Sequence, residues 1–405
     1  MTTLRRSPET IQLPQGYSFS ALAAGIKVSG RPDLALIESA TPATAAALFT
    51  KNRVVAAPLE VGRASLRKSA GRVRAVVVNS GNANCATGKA GRKACEEVCR
   101  QAAKLLGVPA TQIFPSSTGI IGVPLPAEKI VAKLPGLVTH RATSAAAALT
   151  FAQAILTTDT CPKIAARRFP IGRQEVTVFG VAKGSGMIHP QLATMLVYLL
   201  TDAAATPRQL RQLLDEASDP TLKAMSVDGD TSTNDTVLLL ANGQSKASVT
   251  NSAVRKKFAA ALTEVCQSLA EQIVSDGEGV KHVIRLFIEE ARNREEAMIV
   301  ARTIAHSTLV KTAWAGADPN WGRILAAVGR CGLAIDPSRV SIWIANQMVC
   351  KDGVSHPFDE KQAHESLSEP VCDIRIQVRR GKSRVRFLTT DLTPEYVHIN
   401  ADYST

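Results

Sequence analysis

Apolar positions along this chain recur with two different periods, and each period marks a different kind of element. Residues 72 to 79, Arg-Val-Arg-Ala-Val-Val-Val-Asn, form a β-branched run that reads as a buried strand ending in the turn Asn79-Ser80-Gly81-Asn82. From 91 to 106 the spacing becomes helical, with Cys95, Cys99, Ala102 and Leu106 near one face. Further strands are expected at 175–182, 194–201, 236–241, 282–288, 340–346, 373–379 and 384–389. Helices are expected at 143–155, 206–217, 252–274, 293–312 and 321–330. Strands and helices mixed at such short spacing predict an α/β or α+β layered fold. A chain of 405 residues exceeds the size at which single cores stop growing, so two cores or lobes are expected.

Composition narrows the class. Hydrophobic residues make up 45% and charged residues 20%, the balance of an ordinary globular protein. No apolar stretch approaches the roughly 20 residues of a membrane span. The basic start, Met1-Thr2-Thr3-Leu4-Arg5-Arg6, is followed by no apolar run of signal-peptide length, so export is not expected. Eight scattered cysteines, without CxxC or HExxH, give no support to a zinc site or a disulfide framework and fit a reducing cytoplasm. The net charge of +13 raises the question of nucleic acid, but the basic residues are dispersed and aromatic residues are only 4%, too few for stacking platforms. The charge reads instead as solvated surface suited to a carboxylate substrate. Neither a GxxxxGK[ST] or GxGxxG phosphate loop nor a GxSxG elbow is present, which disfavours nucleotide hydrolysis, dinucleotide redox chemistry and serine-hydrolase chemistry on that fold.

Several segments carry more polar chemistry than packing requires. Phe114-Pro115-Ser116-Ser117-Thr118-Gly119-Ile120-Ile121-Gly122 reads as a serine-rich turn between helices, or as a cluster of backbone N–H groups able to hold an oxyanion. The alanine-rich helix at 143–155 closes on Leu156-Thr157-Thr158-Asp159-Thr160, a cluster of hydroxyls. Lys183-Gly184-Ser185-Gly186 and His189 lie in a short connection that leads to Ala193-Thr194 and an apolar strand. Thr194 reads as a strand residue chosen for β propensity, or as a nucleophile. A threonine that becomes an N-terminus carries its own base, the α-amino group. Val227 to Thr236 resembles a calcium loop but has Thr233 and Leu239 where an EF-hand needs glycine and glutamate, so it reads as a hydrogen-bonded turn supporting a site. Asp276-Gly277-Glu278-Gly279 follows a long helix, as a C-cap or as a carboxylate open to a cation. In Gly316 to Arg323 a turn enters a helix, with Asp318 or Asn320 as its N-cap. The polar end His398 to Thr405 hints that the C-terminus is tied down.

Taken together, Ser117-Thr118-Gly119, Thr157-Thr158-Asp159-Thr160, Lys183 to Met187, Ala193-Thr194-Met195-Leu196, Asp228 to Asp235, Asp276 to Gly279, Gly316 to Arg323 and Asn400-Ala401-Asp402-Tyr403 resemble the ornithine acetyltransferase family of arginine biosynthesis, from about residue 13 onward. The resemblance implies an autoprocessed, N-terminal-nucleophile-like layered α/β sandwich with a second, smaller C-terminal lobe. It implies self-cleavage between Ala193 and Thr194 into an α chain, 1–193, and a β chain, 194–405, assembled as α2β2 in the cytoplasm. Thr194 is the implied nucleophile, taking acetyl from N-acetylornithine and passing it to glutamate, with Thr118 and Gly119 as oxyanion hole. The implied substrate-binding residues are Thr157, Lys183, Thr194, Glu278, Asn400 and Thr405. No cofactor or metal is implied, and acetyl-CoA stays open as a second acetyl donor. Gln191-Leu192 departs from the Asn-Met common before the cleavage point, and Ser404-Thr405 from a threonine pair. The rival enzyme reading is an autoprocessed aminopeptidase or amidohydrolase, which would give its acyl group to water.

Overall fold

A computed structural model describes residues 11–189, 195–249 and 251–402. The first sheet holds β1 (Tyr17–Leu22), β2 (Leu34–Phe49), β3 (Arg72–Asn82), β4 (Ile113–Ile120), β5 (Lys163–Ile171), β6 (Gln174–Lys183), β7 (Leu196–Thr201) and β8 (Thr236–Ala241). Its order is β4-β3-β2-β8-β7-β6-β5, with β1 beside β2. The pairs β3–β4 and β7–β8 run parallel and the others antiparallel.

The sheet folds over on itself at β2. This 16-residue strand pairs with β1 along its first half and with β8 along its second, and its register against β3 shifts between Glu38 and Ala43. Extra residues on one strand bend it and increase its twist. The two halves therefore face each other, and the alternation of side chains shows it. Val76, Val78, Phe179, Val181, Tyr198, Leu200, Leu238 and Leu240 pack between the halves with Phe19, whose ring lies 5.7 Å from that of Phe179. Their neighbours Ala75 and Val77, and Val178, Val197, Leu199, Val237 and Leu239, face outward.

Helices cover both outer faces. The first half carries α1 (Ala57–Lys68), α2 (Gly88–Leu106) and α3 (Ala127–Thr139), where Cys95 and Cys99 are small core residues as the helical spacing implied. α4 (Ala145–Ala154) inserts Ala148, Phe151 and Ala152 between the halves. The second half carries α5 (Pro207–Ser218), opened by a Thr206–Gln209 capping box, and the long α6 (Ser252–Ser275), whose N-cap Asn251 accepts from Val254 N–H. The result is helix, sheet, sheet, helix: the layered sandwich expected from the sequence.

A second, smaller lobe follows. It contains β9 (Val283–Ala291), α7 (Arg294–Ala305), α8 (Thr308–Ala315), α9 (Trp321–Gly329), β10 (Ser341–Ile344), β11 (Gln347–Lys351), β12 (Val354–Ser355), α10 (Glu360–Ser368), β13 (Val371–Gln377) and β14 (Ser383–Thr390). Its sheet order is β12-β11-β10-β13-β9-β14, and it has its own core. Asn320 caps α9 through Arg323 N–H, as one of the two expected caps. The chain then returns as α11 (Pro394–Asp402) toward the first sheet. Among the described residues no helix is long and apolar enough to cross a membrane.

The expected single helix at 293–312 is two, broken between His306 and Ser307. The apolar spacing continues across the break and hides it. At the break the His306 ring packs against residues outside its helix: Nε2 lies 3.0 Å from Ser226 Oγ and the ring centroid is 5.1 Å from that of His189. Burial, then the positive charges of His189, Lys311, Arg302 and Arg330, lower the His306 imidazole to about 4. A histidine held neutral in the fold leaves stability intact above its unfolded pKa near 6.5 and loses it as pH falls toward 4. Across that interval His306→Gln is expected to lose about 3 kcal/mol less than wild type, measured by denaturant unfolding at each pH.

Candidate active site

The segment 114–122 is not a turn between helices; its first part is the edge strand β4. Its middle, Pro115-Ser116-Ser117, lacks β formers, and its extended path is set by parallel pairing with β3, which places Ser80 against Thr118 and Gly81 against Gly119. Gly119 has φ +133, and a Cβ there would lie no more than 2.7 Å from the backbone of Gly81 and Asn82, so only glycine fits. Asn234, on the loop before β8, clamps this end by donating to Ser117 O at 2.9 Å and Ala83 O at 2.7 Å.

In a flat sheet, β4 and β6 would stand five strand spacings apart, roughly 24 Å. Folding at β2 brings their ends together instead. Lys183, the last residue of β6, is 2% exposed and donates from Nζ to Thr157 Oγ1 at 2.9 Å and to Thr118 Oγ1 at 3.5 Å. Because both hydroxyls accept from the ammonium, each keeps its own proton to donate. Lys183 is thus a buried strand residue rather than part of a loose connection. It pairs with Leu196, the first residue of β7.

Opposite Lys183 the wall is acidic. Glu278 follows the end of α6, and its N–H donates to Ser185 O at 3.3 Å. A Cβ at Gly186 would collide with the Glu278 carboxylate, so the glycine turn lets Glu278 reach the cavity. Asn400, on α11, donates to Glu278 Oε2 at 2.9 Å, which ties the C-terminal helix to the site. The loop 228–235 is the hydrogen-bonded support expected of it. Asp228 accepts from Met187 N–H at 2.5 Å, Ile188 N–H at 2.9 Å and Asp230 N–H at 3.1 Å, holding Met187 at φ +57. Burial raises its carboxyl to about 6, against the N–H bonds that lower it and with the nearby charges of Asp230 and Glu278 adding to the rise. Asp235 accepts from Met195 N–H at 3.1 Å, and burial raises this carboxyl well above its ordinary value.

Lys183, Asp228, Asn234, Glu278 and Asn400 line one cavity of about 220 Å³. Thr118, Gly119, Thr157, Lys183, Glu278 and Asn400, the expected site residues that fall within the described parts of the chain, all reach it. Ala193, Thr194 and Thr405 lie outside the described residues. One cationic wall and one acidic wall suit a small molecule bearing both a carboxylate and an ammonium. Among the described residues no group of three or more His, Cys, Asp or Glu is placed to hold a metal ion.

The charges around and behind the site are only partly visible in the sequence. Asp228 and Asp235 read there only as parts of a turn, and Lys163 stands out in no way. Lys163 Nζ bridges Asp159 at 2.7 Å and Asp276 at 2.5 Å with no solvent exposure. A lysine beginning a strand, Lys163-Ile164-Ala165, carries no local signal of such a role.

Comparison with known proteins completes the description. The ArgJ family profile matches residues 18–405. A protein named arginine biosynthesis bifunctional protein ArgJ from Methylococcus capsulatus is 43% identical over 394 residues, covering 96% of this chain and 95% of that one. Its namesake from Thermus thermophilus is 43% identical over 397 residues, covering 98% and 100%. A solved structure of ornithine acetyltransferase from Mycobacterium tuberculosis, complexed with ornithine, is 36% identical, with 43% of this chain and 91% of that chain covered and a TM-score of 0.38.

Proposed function

Because the chain belongs to the ArgJ family of acyltransferases in arginine biosynthesis, we propose that it moves acetyl from N-acetylornithine to glutamate through an acetyl-Thr194 ester. The observation that carries this reading is the convergence of Thr118, Gly119, Lys183 and Glu278 on one cavity at the start of β7. Leu196 pairs with Lys183, and two residues of chain, at most about 7 Å, separate Thr194 from Leu196.

The precursor first cuts itself. Thr194 Oγ attacks the Ala193 carbonyl, and hydrolysis of the resulting ester frees an α-amino group with a pKa near ~7.7 to 8.0, a usable base at neutral pH. That amine then takes the Thr194 hydroxyl proton as Oγ attacks the acetyl carbonyl. The Thr118–Gly119 pair holds the oxyanion, ornithine leaves with the proton, and the amine of glutamate attacks the ester and returns Oγ to its hydroxyl form. Lys183 takes a substrate carboxylate and Glu278 a substrate ammonium, with Thr157, Asn400 and Thr405 completing the site. The reaction needs no cofactor, and acetyl-CoA is the further donor to assay.

The cut falls between β6 and β7, neighbours in one sheet. β7 and β8, from the 194–405 fragment, sit between β6 and β2 of the 1–193 fragment, so the cut leaves the two fragments interleaved. We propose the assembly to be α2β2 and cytoplasmic.

The test is acetyl release from N-acetylornithine with and without glutamate. Release that depends on glutamate and yields N-acetylglutamate is expected, whereas equal release to water would make the protein an amidohydrolase. In the same assay Lys183→Met is expected to raise KM for N-acetylornithine about ten- to a hundredfold. A self-cleaved Lys183→Met protein with wild-type affinity would reject the lysine assignment.

A further inference from the structure

Behind the cavity wall lies an open circuit of four buried charges, in the order Lys183, Asp159, Lys163 and Asp276. Lys163, the first residue of β5, is 0% exposed, and its ammonium contacts Asp159 Oδ1 at 2.7 Å, Asp276 Oδ2 at 2.5 Å and Cys161 O at 3.3 Å. Asp159 is the hub. Its Oδ1 also accepts from Gly184 N–H at 2.6 Å, and its Oδ2 accepts from Thr157 N–H at 3.1 Å and lies 3.6 Å from Lys183 Nζ. Asp276 holds Thr160 by its N–H at 3.0 Å and by its hydroxyl. The Asp276 main-chain oxygen accepts from Ser185 Oγ at 2.5 Å, and Ser185 O in turn accepts from Glu278 N–H.

Two ammonium groups and two carboxylates make the circuit neutral. Burying four charges is costly, and apolar side chains of similar volume would often be as stable or more so. The circuit therefore calls for a role beyond holding the fold. It includes Lys183 itself, touches Thr157 and Gly184 directly and reaches Glu278 through Ser185. Neither Lys163 nor Asp159 lines the cavity.

We propose that Asp159 and Lys163 are positioning residues for acetyl transfer. Asp159 aims the Lys183 ammonium and the Thr157 hydroxyl at the cavity, and Lys163 balances Asp159 so that Lys183 stays free to take a substrate carboxylate. This rests on the reading of Lys183 as the carboxylate-binding group. Removing Asp159's charge takes from Lys183 the carboxylate 3.6 Å away and leaves the Lys163 ammonium unbalanced on that side, so Lys183 is driven from its place on the cavity wall. Removing Lys163's charge as well restores neutrality.

The experiment compares Asp159→Asn, the double variant Asp159→Asn/Lys163→Gln and Lys183→Met in steady-state kinetics, with thermal unfolding and fragment masses confirming folded, cut protein. Asp159→Asn is expected to raise KM for both N-acetylornithine and glutamate about ten- to a hundredfold with a smaller change in kcat. The double variant is expected to recover part of that loss, although it has fewer native bonds than the single one. A purely structural role predicts the opposite order, so a double variant worse than the single one overturns the proposal, as does an unchanged KM in Asp159→Asn. If Asp159→Asn does not fold, the neutral double variant decides: a raised KM with near-wild-type kcat supports positioning, and an unchanged KM overturns it. Lys183→Met separates the two readings. If it leaves KM unchanged the binding assignment fails; if it raises KM while Asp159→Asn does not, only the positioning proposal fails.

Discussion

Thr194→Ala is expected to run on denaturing electrophoresis as one uncut chain and to transfer no measurable acetyl, a loss on the order of 10⁴-fold or more. On the proposed mechanism two functions fail together because they share one hydroxyl. Without Oγ there is no attack on the Ala193 carbonyl, so the α-amino base is never released. Without that base and nucleophile no acetyl ester forms. Thr194→Ser keeps a hydroxyl and is expected to cut itself and retain part of the activity. A Thr194→Ala protein that appears as two fragments would remove the threonine from the cleavage step.

Gly119→Ala is the second large effect. The added methyl would meet the backbone of Gly81 and Asn82, which no side-chain rotation can relieve, and φ +133 is a region that L side chains rarely adopt. β4 must then shift against β3 where Thr118 and Gly119 enter the cavity. Loss of a single oxyanion donor costs about 10²- to 10³-fold in rate, and a displaced edge is expected to cost at least that in kcat with a smaller change in KM. Slowed self-cleavage is expected too, because the acyl shift at Ala193 passes through a similar oxyanion. Wild-type kcat in Gly119→Ala would show that this edge holds no oxyanion.

The elements legible in the sequence are those whose own side chains force their conformation. The β8 segment, Thr-Val-Leu-Leu-Leu-Ala, is buried along its whole length between β2 and β7, and its bounds match the expectation of 236–241. α5 announces itself through Pro207 and the Thr206–Gln209 capping box. By contrast β2 is rich in alanine and threonine and includes Pro42, so its alternation is faint. Yet that strand folds the sheet and creates the cavity. β4 is hidden for a related reason: Pro-Ser-Ser-Thr-Gly is extended because β3 pairs with it, not because the residues favour a strand.

The candidate site divides the same way. Residues that face the cavity sit in short polar motifs, so Thr118, Gly119, Thr157, Lys183, Glu278 and Asn400 can be named from the chain alone through their resemblance to a family. The roles of the groups that act from behind cannot. Lys163 meets Asp276 across 113 residues of sequence, and Asp235 meets Met195 across 40. Such partners are set by the packing of strand ends, which no local pattern encodes. The break at His306 belongs with them, since a helical apolar period runs straight through it.

The central claim is that acetyl rests on Thr194 between donor and acceptor. Wild-type protein mixed with N-acetylornithine in the absence of glutamate, denatured in acid and analysed by intact and peptide mass, tests it directly. The account predicts two fragments, of 193 and 212 residues, with one acetyl group on Thr194 of the second that is lost when glutamate is added before denaturation. An uncut chain, or an acetyl group carried stably on another residue and passed to glutamate from there, would contradict it.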